Sequence, residues 1–242
     1  MRTELHHTYV LHRRAYRETS LILECISAEH GRVGLVARGA ARGRKRGGES
    51  MQAFQKYAVA WSGRSDLHTL TKLEPAGRSL VLAGDRLFSG FYVNELTMRL
   101  TTRHDPNPDL FFVYEQTLLS LAASSAAIEP VLRRFEKNLL DACGYGLQLT
   151  VDATTGEDID PAQDYRYALE QGPLRAHGEN QGIAVSGHTL LALARNEELL
   201  PMQLNEAKRL MRFVLHHYIG DRPLASRSLF RGSSATPRPE GA

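Results

Sequence analysis

Between Gly31 and Gly48 the chain reads GRVGLVARGAARGRKRGG, and from Arg32 to Arg46 it carries six Arg or Lys and no acid. Guanidinium groups fork onto phosphate oxygens, and interleaved Gly and Ala let a backbone approach a phosphate chain closely. Each phosphate neutralised releases condensed counterions, so such a contact weakens as salt rises. Basic density of this kind without acidic neighbours favours nucleic acid as the partner over a loop that serves solubility alone.

Gly39 is not followed at the required spacing by Gly-Lys-Ser/Thr, and no HExxH, GxSxG or GxGxxG occurs. The segment DATTGEDID resembles a calcium loop, yet its oxygens miss the EF-hand spacing, and it reads as a solvated turn. The pairs His6-His7 and His216-His217 suggest a metal, but adjacent residues diverge on a strand or helix, so neither pair chelates easily. Cys25 and Cys143 are too few for a disulfide framework or a Cys-rich zinc site and read as buried small hydrophobes. No carboxylate is framed by a recognisable partner. Neither enzymatic activity nor a cofactor is expected.

The elements that would carry the basic stretch follow from periodicity. Tyr9 and Leu11, then Leu21, Leu23 and Cys25, then Val33, Leu35 and Ala37 alternate with their neighbours at period two. Ala28 to Gly31 makes a turn between the second and third runs; KYAVAW and LHTLTKL follow, separated by Ser62 to Asp66. Five short strands with a long basic excursion between the third and fourth suit an OB-fold barrel, a fold that binds oligonucleotides; an SH3-like barrel fits the pattern too. Tyr9, Tyr16, Tyr57 and Trp61 are candidate stacking platforms on it, or core residues.

The period then changes to about 3.6. Phe88, Phe91, Tyr92, Leu96 and Leu100 share one face of a helix starting near Asp85; Asp105-Pro106-Asn107-Pro108 breaks it, and Asp109 to Ala123 forms a second. A third begins near Glu129, with Leu132, Phe135 and Leu139 on one face, and ends at Gly144. The aromatics on these helices are expected in the core. Residues 145–186 form an irregular insertion, with YRYAL as a short strand, before helices Leu190 to Asn196 and Gln203 to Ile219. The expected organisation is α+β: an OB-fold domain over 1–80, a helical domain over 81–231 with a partly β insertion at 145–186, and a disordered tail at 232–242.

Charge is asymmetric although the net value is only +3. Residues 1–50 hold ten Arg/Lys against five Glu, residues 208–231 hold six against one Asp, and residues 152–179 reverse the sign with seven acids and two bases. Such polarity speaks of partners rather than fold. Apolar runs fall short of the roughly 18 residues of a membrane span, and residues 1–30 lack a signal-peptide core, so a cytoplasmic protein without membrane contact is expected.

Several segments together resemble the RecO family of bacterial recombination mediators. YVLHRRAYRETSLILECISAEHGRVGLVARGAA is similar to its N-terminal barrel. LFSGFYVNELTMRL, PDLFFVYEQTLLSLA and EPVLRRFEKNLLDACGYG look like its helical domain, and HHYIGDRPLASRSLF like its C-terminal signature. The resemblance runs in order over about residues 5–231. Some members bind zinc through four cysteines in the insertion; here LQLTVDATTGEDIDPAQDYRY has none, which implies the zinc-free branch and no metal.

What the resemblance implies is a nucleoid-associated protein of DNA repair and recombination. Such a protein binds single- and double-stranded DNA, anneals complementary strands coated by the single-stranded DNA-binding protein SSB, and with RecR promotes loading of RecA. The implied DNA contacts are Arg14, Arg17, Arg32, Arg38, Arg42, Arg44, Lys45 and Arg46. The family's docking of the acidic SSB tail needs a cation at the lip of an apolar groove; Arg133 with Lys137, and Lys208 with Arg212, are pairs four apart on helices. Both pairs could equally be solvated helix faces. Arg222 and Arg227 could contact DNA or RecR, or cap the protein's own carbonyls. Two other functions fit the residues: an RNA-binding barrel factor associated with the ribosome or RNA metabolism, and a protein scaffold whose basic loops only solubilise it.

Overall fold

The computed structural model describes residues 4–40, 51–175, 182–226 and 228–229. It gathers into two compact units, Met1–Ser124 joined by the chain from Pro223, and Ser125–Arg222.

The first unit is built on five strands: β1 (His6–Tyr16), β2 (Ser20–Ser27), β3 (Gly31–Ala37), β4 (Lys56–Ser62) and β5 (Leu67–Pro75). They close into a barrel in the order β1-β2-β3-β5-β4, with β1 pairing β4 and with β3–β5 the one parallel contact. That is the OB-fold expected from the strand count. Period-two alternation turns Leu23, Cys25, Val33, Leu35, Ala37 and Val59 into the lumen. A bulge between Val10 and His12 bends β1 so that its second half continues with β2 as a hairpin.

Two helices, α1 (Asp85–Leu100) and α2 (Pro108–Ala122), pack on β1 and β2 from outside, which is why Ile22 and Ile26 are buried as well as Leu23 and Cys25. Asn94 of α1 donates to the Leu11 carbonyl and accepts from the Tyr114 hydroxyl of α2, satisfying three buried polar groups at one joint. Asn107 caps α2 by accepting from the Leu110 N–H. The buried stripe of α1 runs through Ser89, Tyr92, Val93, Leu96 and Thr97, so Tyr92 and Leu96 of the expected face are core while the stripe is rotated toward Ser89, Val93 and Thr97. Phe91 is exposed beside Phe54, and Phe112 of α2 is 60% exposed, against the expectation that the helical aromatics are core. Close approach explains the rotation: a Cβ on Gly90 would stand 2.8 Å from Phe54 and Leu82.

The second unit comprises α3 (Ile128–Ala142), strands β6 (Asp164–Ala168), β7 (Gly172–Arg175) and β8 (Ile183–Ser186), then α4 (Gly187–Arg195) and α5 (Pro201–Ile219). α3 packs on α5, and the three-stranded antiparallel sheet, ordered β7-β6-β8, meets α5 and α4 through β8. The core holds Phe135, Leu139, Tyr165, Leu190, Leu210 and Met211. The DATTGEDID segment is a turn, as read, but its Asp152 is buried: the carboxylate accepts from the Thr154 N–H and faces Arg175 at 3.6 Å.

Candidate nucleic-acid interface

The outer face of the barrel is open where the β1–β2 and β4–β5 loops approach each other. Strand register lays Arg14, Ile22, Val36 and Thr69 in one row across β1, β2, β3 and β5, with Tyr16 and Ser20 opposite each other in the next. An open concavity of about 850 Å³ covers this face, lined by Tyr16, Arg17, Arg38, Ser65, Leu67 and Thr69 among others. In OB-folds the face of the second and third strands, framed by these same two loops, is where oligonucleotides bind.

Its cations are placed by local structure. Arg17 occupies the tip of the β1–β2 hairpin with φ +53°, and its guanidinium carbon lies 5.1 Å from the centroid of the Tyr16 ring. Arg38 immediately follows β3, and Arg14 stands on the same side of β1 as Tyr16; Arg14, Arg17 and Arg38 are all exposed. Arg42, Arg44, Lys45 and Arg46 lie outside the described residues. Glu18 is the acid among the lining residues.

Arg32 belongs elsewhere. Its guanidinium donates to the carbonyl of Met98 in the last turn of α1 and faces Glu24 at 4.0 Å, leaving the side chain 19% exposed. A helix C-terminus presents carbonyls without intrahelical donors and a negative dipole end, so Arg32 serves as a cap for α1. Arg103, just beyond α1, ion-pairs with the same Glu24 and lies over Gly34. Burial and Arg103 hold the Arg32 guanidinium below its ordinary pKa against the pull of Glu24, whereas the hydrogen bond that Arg103 donates to Glu24 raises the pKa of Arg103.

Of the candidate stacking residues, Tyr9 and Tyr57 are core. Tyr9 packs on Phe111 and Tyr114 and donates to Glu115, which also pairs with Lys56 at 2.8 Å. Tyr16 and Trp61 are half-buried. Two residues were not singled out in the sequence: Arg64, exposed on the β4–β5 loop, and His30, which packs on Trp61 together with His6. Each is isolated in sequence, and only barrel closure assembles them.

In the second unit the cations expected at a groove lip are mostly committed. Arg133 is 5% exposed and pairs with buried Glu136 at 2.9 Å; Lys137, also buried, pairs with Asp141 at 3.1 Å. Lys208 pairs with Glu129, and Arg212 is exposed. Arg133 and Lys137 are therefore held in ion pairs within the unit. A concavity of about 590 Å³ in this unit is lined instead by Ile159, His188, Leu191, Arg195, Leu200 and Gln203 among others.

The RPLASR segment is clasped to α1. Glu95 accepts from the N–H groups of Ala225 and Ser226 and from the Ser226 hydroxyl, while Arg99 bridges Glu95 and the Pro223 carbonyl. Burial alone would raise the Glu95 pKa; the Ser226, Ala225 and Arg99 donors outweigh it and hold the carboxyl below its ordinary value. Leu224 is buried beside them. Arg227 lies outside the described residues. Among the described residues no helix is long and apolar enough to cross a membrane, and no group of three or more His, Cys, Asp or Glu could hold a metal ion.

Comparison with known proteins agrees with this architecture. Residues 1–78 match the family model for the N terminal region of recombination protein O, and residues 82–228 match that for its C terminal region. A "DNA repair protein RecO" of Methylococcus capsulatus is 48% identical over 233 residues, 96% of this chain and 95% of that one. Its counterpart from Nitrosococcus oceani is 47% identical over 230 residues, 95% and 93% of the two chains. That from Aromatoleum aromaticum is 41% identical over 224 residues, 92% and 93%.

Proposed function

Because the chain belongs to the recombination protein O family, we propose that it serves DNA repair by holding single- and double-stranded DNA on its barrel and annealing complementary strands. The relatives' shared name supports the repair role. The concavity beside the β1–β2 and β4–β5 loops, with Arg14, Arg17 and Arg38 exposed at its margin, is the observation that carries the DNA contact. The basic run through Arg42, Arg44, Lys45 and Arg46 continues from Arg38 along the chain.

Two strands repel through their phosphates, and that repulsion slows nucleation of pairing. A cationic surface that grips phosphates without reading bases lowers the repulsion and leaves the Watson–Crick edges free. Nucleotide hydrolysis has no place in this mechanism. Strands reach the protein coated by SSB, whose acidic tail docks on the second unit and raises the local concentration of DNA near the barrel. With Arg133 and Lys137 committed inside, exposed Arg212 is the side chain of the four best placed to meet a tail carboxylate. RecR and RecA act downstream in this scheme.

Annealing of SSB-coated complementary strands tests the reading. Replacing Arg14, Arg17, Arg38 and the Arg42–Arg46 cations by Gln is expected to abolish annealing while the circular dichroism spectrum is retained. Undiminished annealing by that variant removes the barrel surface from the mechanism. Tighter binding of RNA than of DNA at equal salt would instead favour an RNA-binding factor.

A further inference from the structure

Five rings gather at one mouth of the barrel: His6 at the start of β1, His30 in the β2–β3 turn, Trp61 near the end of β4, His68 at the start of β5 and His104 beyond α1. Their centroids are 4.3 Å apart from His6 to His30, 5.0 and 5.1 Å from these two to Trp61, 6.3 Å from Trp61 to His68, and 5.3 Å from His68 to His104. None of the five is fully buried, and Trp61 rests on the barrel core.

A metal does not account for the cluster. The Nε2 atoms of His6 and His30 are 3.3 Å apart, yet the ring centroids are only 4.3 Å apart. Two imidazoles aimed at one tetrahedral ion from about 2.0–2.1 Å would hold their centroids about 5 Å apart.

We propose that this cluster is a stacking site for unpaired bases of single-stranded nucleic acid, its affinity linked to proton uptake by the imidazoles. The inference rests on the polynucleotide-binding reading above and deepens it. Aromatic faces take any base, since every base has a π-face. The β4–β5 loop joins the two sites: Ser65 and Leu67 line the concavity, while Trp61 and His68 flank the same loop within the ring cluster. A strand in the concavity reaches the rings by crossing that loop.

Proton linkage follows from the charges that meet there. Glu29 lies 3.9 Å from His6, Asp66 lies 4.0 Å from His104, and Glu4 acts on His30. Arg103 faces Asp66, and Arg64 is exposed on the loop. Three carboxylates thus meet four imidazoles at this mouth of the barrel. The His6–His30 contact requires at least one ring to be neutral, because two imidazolium groups have donors and no acceptor. Burial and His6 hold the His30 pKa below its ordinary value. A phosphate set against the pair offsets the repulsion of two protonated rings, so strand binding and proton uptake favour each other.

Trp61 is the single tryptophan of the chain, so tryptophan emission, excited selectively beyond the tyrosine absorption, reports on this site alone. The full chain is titrated with a dT oligomer and with an abasic strand of equal phosphate number. Trp61 emission and the anisotropy of labelled strands are followed together, at fixed salt, at about pH 8 and about pH 6. Expected are quenching by dT well above that by the abasic strand and a dT affinity about three- to tenfold tighter at the lower pH. Joint replacement His6→Asn and His30→Asn should remove most of that pH dependence. Binding of dT by anisotropy with no change in Trp61 emission overturns the stacking site and leaves the DNA-binding reading standing. Equal quenching by the abasic strand also overturns stacking. Failure of every strand to bind even at low salt sinks the DNA-binding reading and this inference with it.

Discussion

Two sets of arginine substitutions separate cations that build the barrel unit from cations available to a ligand. Arg32→Gln removes a guanidinium that caps the Met98 carbonyl and faces Glu24. Arg14, Arg17 and Arg38 replaced together by Gln remove three exposed charges beside the concavity. For a single strand, each phosphate neutralised contributes about −0.7 to the slope of log K against log salt. If each of the three makes one contact, the triple variant loses about 2 in slope, or about two orders of magnitude in affinity at 0.1 M salt relative to an extrapolation at 1 M. Arg32→Gln should leave the slope unchanged, because its guanidinium is already occupied. Its cost falls on folding: loss of a charged hydrogen bond to a helix-terminal carbonyl is worth about 1–2 kcal/mol, a melting temperature lower by about 2–8 °C.

Fluorescence anisotropy of a labelled dT oligomer over a salt series, with thermal melts of the same preparations, measures both quantities. Two results would refute the reasoning. An Arg32→Gln protein that melts normally but has a flatter salt slope would mean that Arg32 holds phosphate. A triple variant with an unchanged slope would mean that this face of the barrel is not where the strand lies.

Other consequences are as direct. Glu95→Gln should weaken the clasp on Ala225 and Ser226 by about 1–2 kcal/mol. Because the folded Glu95 pKa lies below the ordinary 4.5, the clasp is fully present above that pH and is lost as pH falls through the folded value. Acid titration of stability should therefore be shallower in Glu95→Gln than in the parent. Gly31→Ala forces a side chain into φ +61° with its Cβ 1.9 Å from the Asp105 carbonyl oxygen, a loss of more than about 2 kcal/mol that chemical denaturation reads. Arg133→Ala removes one partner of a buried ion pair and should destabilise by about 3–5 kcal/mol, whereas Arg212→Glu should keep the parental melting temperature while weakening capture on an immobilised SSB tail peptide.

The barrel was legible because half of each strand faces the lumen, so alternation in SLILECI and RVGLVAR reports topology directly. The face of α1 was not. Its apolar residues surround the helix, and the buried stripe is set by Gly90 against Phe54 and by Asn94 bridging Leu11 and Tyr114, contacts remote in sequence. The short strands β7 and β8 escaped notice for a related reason, since a four-residue strand carries too little alternation to stand out from a loop. Among the site residues, the exposed hairpin and strand-end arginines could be read from the strand pattern. Arg32 and Arg133 could not be told from them, because a sequence does not show which cations have a carboxylate or carbonyl within reach.

That distinction among arginines bears on how the barrel treats its ligand. Reading a base edge needs a guanidinium held rigidly by packing and by neighbouring hydrogen bonds. The rigid ones here spend their donors within the protein: Arg32 on Met98, Arg103 on Glu24, Arg99 on Glu95 and Pro223. Arg14, Arg17 and Arg38 stand exposed on the first hairpin and after β3, and Arg64 on the β4–β5 loop. Such groups follow a phosphate wherever the backbone carries it and gain little from any particular base. The annealing proposed above, in which any complementary strands are paired, requires that indifference, and the ion pairs and carbonyl contacts of Arg32, Arg103 and Arg99 are consistent with it.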